Sequence, residues 1–320
     1  MRGEFELIER YWAHLTPLGG DVQAGIGGDC ARVTVATGME LAVSIDTVIE
    51  DVHFPAQTAG QDVGWKALAC GLSDLAAVGA EPAWMTLALT LASRDEAWQA
   101  ALADGIGQGA RAFGVSLIGG DTTRGPVRMV TCQVAGTVPA GTAMTRTGAK
   151  PGDTVWVSGT PGEAAAGLGQ QRAAPGCVDA ALRARLDRPE ARVALGQALR
   201  GRASACIDVS DGLAGDAGRL AQASAVAIRL DEQALPVSAA LARAGDSADI
   251  RDWILNGGDD YELCFTAPPG AIDAAVLARE AGVAVTAIGT VEAGGGVSLR
   301  RADGAVEALG GHGFDHFGPP

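Results

Sequence analysis

Apolar residues in this chain come in two rhythms, and the alternation between them sets the expected architecture. ELAVSIDTVI (40–49), MTLALTLA (85–92), VSLIGGD (115–121) and VRMVTCQVAGTV (127–138) are rich in β-branched and aliphatic residues and read as strands. ARVTVAT (31–37) is strand-like too, and an irregular loop, EDVHF, follows the 40–49 strand. Segment 62–78 (DVGWKALACGLSDLAAV) and residues 95–113 read as helices, the first closed by Gly79 with Pro82 beyond. A short amphipathic helix over 4–15 opens the chain, with Phe5, Ile8, Trp12 and Leu15 near helical spacing.

The polar stretch TRTGAKPGD (145–153), punctuated by Gly and Pro, marks a boundary. Beyond it TVWVSGT, CIDVSDG, AIRLD, YELCFTA, VTAIGTV and VSLRRA read as strands, alternating with helical stretches near 163–171, 178–200, 212–224 and 271–281. The pattern predicts a two-domain α/β (α+β) protein, divided into residues 1–147 and 148–320. The GGG at 294–296 reads as a hairpin turn, and no fixed-period repeat occurs.

Composition narrows the partners. The 320 residues carry 24 Lys and Arg against 38 Asp and Glu, a formal charge of −14. That balance argues against the basic surfaces that nucleic acids or anionic membranes require. It is compatible with a nucleotide substrate, because Mg²⁺ neutralises phosphates and carboxylates locally. The six cysteines are scattered without a CxxC pair, as expected of a reduced chain lacking structural zinc. The opening MRGEFELIERYW is acidic where a signal peptide needs an apolar core, and the longest apolar runs are too short to span a bilayer. The expected compartment is the cytoplasm.

Familiar nucleotide and hydrolase motifs fail in context. A P-loop needs G-x-x-x-x-G-K-[ST], yet Lys66 is followed by Ala and Lys150 by Pro. HRD, DFG and G-x-S-x-G strings do not occur. GIGQGA (105–110) matches a dinucleotide string but sits inside a helical pattern. His312 and His316 have metal-like spacing in a glycine-rich tail without matching acidic or sulfur partners.

The chemistry lies in aspartates found where apolar segments break into Gly, Ser or Thr: Asp46 in LAVSIDT, Asp74 in GLSDLAAVGA, Asp121 in SLIGGDTTRG, Asp208 and Asp211 in CIDVSDG. One such Asp alone is a helix cap or turn residue. Five in the same context, expected at the ends of buried strands, read as a converging oxygen cage for Mg²⁺, which usually arrives with phosphates. Phosphoryl transfer needs carboxylates from several strands, glycine turns that let phosphate near backbone amides, and arginine. Gly25, Gly27 and Gly28 precede Asp29; Gly119 and Gly120 precede Asp121, with Arg124 after it; Arg146 lies at the boundary. Asp208, Ser210 and Asp211 share a strand-to-helix turn whose amides suit an anion. His53 follows the Asp46 strand in an acidic loop, and GGDDYE (257–262) adds three acids behind a glycine pair.

GIGGDC, SIDTVIEDVHF, GLSDLAAVGAEPAW, GGDTTRGP, IDVSDGLAGDAGRL, GGDDYELCFT and the terminal FDHF follow one another along the chain. In that order, with GEFELIERY and TRTGAKPGD, they resemble the thiamine-monophosphate kinases, of the aminoimidazole ribonucleotide synthetase superfamily. The resemblance implies conversion of thiamine monophosphate and ATP to thiamine diphosphate and ADP by direct γ-phosphoryl transfer, with no dedicated general base. It further implies an N-terminal domain that binds ATP and Mg²⁺ and dimerises through its sheet, a homodimer, and ATP in the cleft beside a C-terminal α/β domain.

Carried over by position, Asp29, Ser44, Asp46, Asp74, Asp121, Asp208 and Asp211 are the implied Mg²⁺ ligands. The carbonyl of Ile45 joins them, because its side chain has no oxygen. Gly120, Asp121, Arg146 and Ser210 are implied at ATP, and His53, Asp259 and Phe314 at thiamine monophosphate. Four positions depart from the family pattern: Gly28 for an Asp, Ile45 for a Thr, Asp259 for a Glu, and Phe314 for Tyr or Trp.

Overall fold

A computed structural model of the chain describes residues 4–16, 20–174 and 176–310. The chain forms two compact units: Met1–Leu75 with Ala80–Gly141, and Ala76–Gly79 with Thr142–Pro320.

The first unit opens with α1 (Glu4–Tyr11), a 3-10 turn and an antiparallel pair, β1 (Val22–Ala24) and β2 (Arg32–Val33). Then come β3 (Met39–Ile49), α2 (Gly60–Ala77), β4 (Glu81–Leu91), α3 (Glu96–Phe113), β5 (Ser116–Arg124) and β6 (Met129–Pro139). The four long strands form one sheet in the order β3-β6-β4-β5, with β4 and β5 parallel and the other pairs antiparallel. The parallel pair is joined by α3, as a crossover connection requires.

Helix α2 packs on the sheet where Gly71 faces the Val134 side chain, and α3 packs on α2 at backbone distance. A Cβ on Gly64 would lie 2.4 Å from the Leu102 carbonyl oxygen, and one on Gly105 would lie 2.0 Å from that of Gln61. Gly105 thus belongs to helix packing inside α3, as its helical pattern predicts, and not to a dinucleotide loop. The sheet's other face carries polar pairs, Thr47 on Thr131, Thr86 on Gln133 and Thr90 on Thr123, beside a small apolar cluster in which Trp84 and Ala135 pack with Val22. Its β3 edge carries Leu41, Val43 and Ile45, exposed at 50%, 57% and 64%.

The second unit runs β7 (Thr154–Ser158), α4 (Glu163–Ala173), α5 (Ala180–Asp187), α6 (Val193–Leu199), β8 (Ala205–Val209), α7 (Leu213–Ser224) and β9 (Ala227–Asp231). It continues through α8 (Ala239–Ala244), α9 (Ser247–Asn256), β10 (Glu262–Ala267), α10 (Ala274–Ala281), β11 (Val285–Glu292), β12 (Gly296–Arg300) and β13 (Val306–Leu309). The seven-stranded sheet has the order β13-β12-β9-β11-β7-β10-β8 and is antiparallel except between β12 and β9. Val155, Val157, Ile207, Val209 and Cys264 pack with α7 and α9 on one face; Trp156, Cys206, Leu263 and Phe265 pack with α6 and α10 on the other. A sheet covered on both faces explains why β8 and β10 are buried at every position.

Several sequence expectations are corrected. The 178–200 stretch is two helices, broken where Pro189 lacks an amide donor. The GGG segment is not a hairpin: β11 and β12 flank β9, and the segment crosses the end of that strand. The glycines at 119 and 120 are not a turn but lie inside β5, where a Cβ on Gly120 would come within 2.1 Å of the Leu87 carbonyl oxygen.

The α2–α3 contact yields a stability test. Gly64→Ala should lower unfolding free energy by about 1–3 kcal/mol, the usual cost of overpacking. Gly169→Ala, in α4 with nothing within 4 Å of the new Cβ, should cost nothing in the same urea titration. Equal effects at the two sites would contradict the packing account.

Candidate functional site

The aspartates do not stand at strand ends as a group. Asp46 lies within β3, Asp74 within α2 and Asp121 within β5; Asp208 alone is near the end of a strand, β8. Nor do they cap helices: among the described residues the aspartates that do are Asp95, Asp179, Asp246 and Asp273, with Asp231 on a 3-10 turn.

In the first unit one group forms between β3 and α2. Ser44 and Asp46 are two residues apart, so they share the helix-covered face of β3. Ser44 Oγ donates to Asp74 Oδ2. Asp46 Oδ2 would be 3.7 Å from a Cβ on Gly71, one helical turn before Asp74, so the missing side chain keeps space open beside the carboxylate. Cys132 stands opposite Asp46, and burial first, then the Asp46 charge, pushes its thiol up to about 12. Ile45 points to the other face, leaving its carbonyl as the one oxygen it can offer.

Asp121 is not gathered with these. Asp46, Cys132, Leu87 and Gly120 form one row across the sheet, and Asp121 is a residue further on, hence on the opposite face. Three strand spacings separate β3 from β5, roughly 14 Å. Asp29 is exposed in the turn that links β1 to β2. Among the described residues, no three His, Cys, Asp or Glu side chains are drawn into a metal-holding group.

The loop after β3 is pinned by Arg128. Its Nη2 lies 2.8 Å from Glu50 Oε1, its Nε donates to Glu50 Oε2 at 3.1 Å, and its guanidinium sits 4.6 Å from the Trp98 ring centroid. The Arg128 hydrogen bond holds the Glu50 carboxyl down at about 2. Inside this loop His53 Nδ1 accepts from the Ile49 amide at 3.1 Å, which fixes that nitrogen as the acceptor and the ring's orientation.

In the second unit the turn after β8 is organised by two residues that motif spacing did not single out, Asp216 and Arg219. The buried Asp216 Oδ2 accepts from the amides of Ser210 and Asp211, each at 3.0 Å. Those two amides are therefore engaged, and not open to an anion. Arg219 donates to Asp216 Oδ1 and lies 2.7 Å from Asp211 Oδ2 through Nη2. Burial raises the Asp216 carboxyl, against the pull of the Asp211 amide and the Arg219 charge. A charged residue on the apolar stripe Leu213, Ala217, Leu220 was the available signal in the sequence.

Asp259 joins this turn. Its amide donates to the Ser210 carbonyl at 2.9 Å, and the Tyr261 amide donates to that of Val209 at 2.8 Å. Asp259 (φ 69°) and Tyr261 (φ 53°) both hold left-handed backbone, a strained arrangement that persists only when surroundings impose it. Between them Asp260 is buried, accepting from the Gly162 and Ala164 amides; burial pushes its carboxyl up to about 8. Glu262 is locked by Arg192, with Nε 2.7 Å from Oε2, and by Arg185, with Nη2 2.6 Å from Oε1. Tyr261 Oη donates to Asp259 Oδ1 at 3.0 Å, aiming that carboxylate.

Asp208, Ser210, Asp211 and Asp259 are thus gathered on neighbouring backbone. Arg146 is exposed in the segment whose Thr145 carbonyl accepts from the Cys206 amide on β8 at 2.9 Å. Phe314 lies outside the described residues. Both groups of donors, in the two units, are oxygens of carboxylates and hydroxyls. That is the ligand chemistry of a hard divalent cation such as Mg²⁺, so the residues present fit it.

Comparisons with known proteins define first the class. Family models for the AIR synthase related protein match its N-terminal domain at residues 27–140 and its C-terminal domain at 150–301. The chain is 45% identical over 326 residues to the thiamine-monophosphate kinase of Salmonella typhimurium, covering 99% of each. The crystal structure of thiamine-monophosphate kinase from Stenotrophomonas maltophilia superposes with a TM-score of 0.87 at 43% identity, covering 96% of this chain and 98% of that one. A solved structure of AaThiL complexed with AMPPCP and TMP gives a TM-score of 0.80 at 29% identity, covering 99% of both. The chain belongs to the AIR synthase related protein family, within its thiamine-monophosphate kinase group.

The Glu50–Arg128 pair makes a pH-dependent contribution. Its carboxyl is lowered from 4.5 to about 2, so the stabilisation is complete above about pH 4.5 and fades as pH falls toward 2. Glu50→Gln should therefore be less stable than wild type at neutral pH, with the gap closing across that window in urea titrations. A gap that stays constant from pH 6 to 2 would contradict the pairing.

Proposed function

We propose that this chain transfers the γ-phosphoryl group of ATP to thiamine monophosphate, giving thiamine diphosphate and ADP. The observation that carries the reading is the 45% identity to a thiamine-monophosphate kinase along 99% of both chains. An oxygen of the acceptor phosphate attacks the γ-phosphorus while the bond to the bridging oxygen of ADP breaks. The acceptor is already anionic at neutral pH, so no side chain need remove a proton.

Mg²⁺ would supply charge neutralisation on the transferring oxygens and alignment of donor with acceptor. Ser44, Asp46, Asp74 and the Ile45 carbonyl would hold it in the first unit, with Asp29 and Asp121 as further ligands, and Asp208 and Asp211 in the second. Gly120, Asp121, Arg146 and Ser210 would bind ATP, Arg146 by pairing with phosphate oxygens. His53, Asp259 and Phe314 would bind thiamine monophosphate. Support for these roles comes from position in the family motifs, from the Ser44–Asp74 bond, and from the ties that join Asp259 to the Ser210 turn.

The working form in this reading is a homodimer built on the β3 edge. Leu41, Val43 and Ile45 line one exposed stripe there, and a second copy would bury it. The reading places the enzyme in the cytoplasm, in keeping with six free cysteines, and no described helix is long and apolar enough to cross a membrane.

Purified protein supplied with ATP, Mg²⁺ and thiamine monophosphate should release thiamine diphosphate, read by chromatography. A correctly folded sample that forms none would refute the proposal. Asp74→Asn should cut kcat by at least on the order of 10–100-fold, the usual loss when a metal site is disturbed, without moving the urea midpoint. Val43→Asp should shift sedimentation from dimer to monomer; an unchanged sedimentation coefficient would remove β3 from the interface.

A further inference from the structure

The acids that the proposed reading assigns to metal differ in the side chains they touch. Asp74 meets the Ser44 hydroxyl, a neutral donor that keeps its own oxygen available as a ligand. Asp211 meets a full positive charge, the guanidinium of Arg219, at 2.7 Å from Oδ2. The same guanidinium is held on its other side by Asp216, which is almost wholly buried and fixed to the turn by two backbone amides. Arg219 is therefore a tethered cation, with a permanent partner in Asp216 and a second, more exposed partner in Asp211.

Resting on the reading of Asp211 as a metal ligand, we infer that Arg219 is a built-in counter-ion for Asp211, which a divalent cation must displace. Guanidinium and metal compete for the same carboxylate lone pairs, and their like charges oppose simultaneous occupancy of one oxygen. Arg219 is 41% exposed, so it can leave Asp211 without disturbing the core, and Asp216 retains it when it does. The backbone of the turn does not depend on the Arg219–Asp211 contact, because Asp216 holds the amides of Ser210 and Asp211 directly. The opposite role, in which Arg219 aims Asp211 for the metal, predicts the reverse effect of its removal.

The test measures binding of Mn²⁺ alone, with no nucleotide, from the free-ion EPR signal. Arg219→Met should bind more tightly than wild type by about two- to five-fold, the range expected for releasing a partly exposed ion pair. Arg219→Lys, which keeps the charge, should stay near wild type, and Asp211→Asn combined with Arg219→Met should lose the gain. If Arg219→Met fails to fold, Arg219→Gln, which keeps a donor for Asp216, serves in its place. Unchanged or weaker binding overturns the inference, as does a gain that survives loss of Asp211, or Mn²⁺ binding by none of the variants. Thiamine diphosphate formation by wild type is assayed separately, so failure of the kinase reading leaves the Mn²⁺ comparison to decide the role of Arg219.

Discussion

Crowding of like charge is the constraint on which this structure turns. With 38 acidic residues and 24 basic ones, carboxylates outnumber the side chains that can neutralise them. A buried or half-buried carboxylate must still find a donor or a counter-charge, or give up its ionisation. Each acid near the candidate site meets that demand differently. Asp74 takes a hydroxyl, Asp216 takes two amides and an arginine, Glu262 takes two arginines, and Glu50 takes Arg128. Burial raises both Asp216, which has amides and Arg219, and Asp260, whose carboxyl accepts from two amides alone and is pushed up to about 8.

Those pairings divide into two kinds with different consequences. Glu262 is wholly buried against the largely buried Arg185 and Arg192, and removing one partner would leave a stranded charge. It fixes the strand that begins just after the Asp259 loop. Asp211 with Arg219 is partly open and replaceable, as a group that exchanges partners must be. Rigid, fully paired charges thus set the backbone, while looser pairs carry the oxygens that reach solvent. The left-handed residues on either side of Asp260 are held through its hydrogen bonds from the amides of Gly162 and Ala164.

Much of this was legible in the sequence because element type follows periodicity. The strands around 40–49 and 85–92 and the helices over 62–78 and 95–113 all form close to their expected bounds. The position of an aspartate within its element was less legible. An Asp that interrupts an apolar run looks like the run's end, yet in β3 it is only the next residue on a face that alternates. α9 went unseen because its apolar positions are sparse, although its Asp246–Asp249 capping box was there to read. The crossing of β9 by the 294–296 segment and the Arg192–Glu262 pair, 70 residues apart, depend on tertiary pairing that no local spacing encodes. The ordered family motifs added specific roles for Asp29 and Asp259, which local chemistry had marked only as acids beside glycines.

The account holds that carboxylate oxygens, not lysine or a glycine-rich phosphate loop, handle the phosphates by way of divalent metal. A crystal structure of this chain with Mn²⁺ and a non-hydrolysable ATP analogue tests that most directly, through anomalous scattering. The account predicts manganese on Asp46 and Asp74 in the first unit and on Asp211 in the second, with the Arg219 guanidinium withdrawn to Asp216. Nucleotide bound with no manganese on these aspartates, and Arg219 still on Asp211, would contradict it.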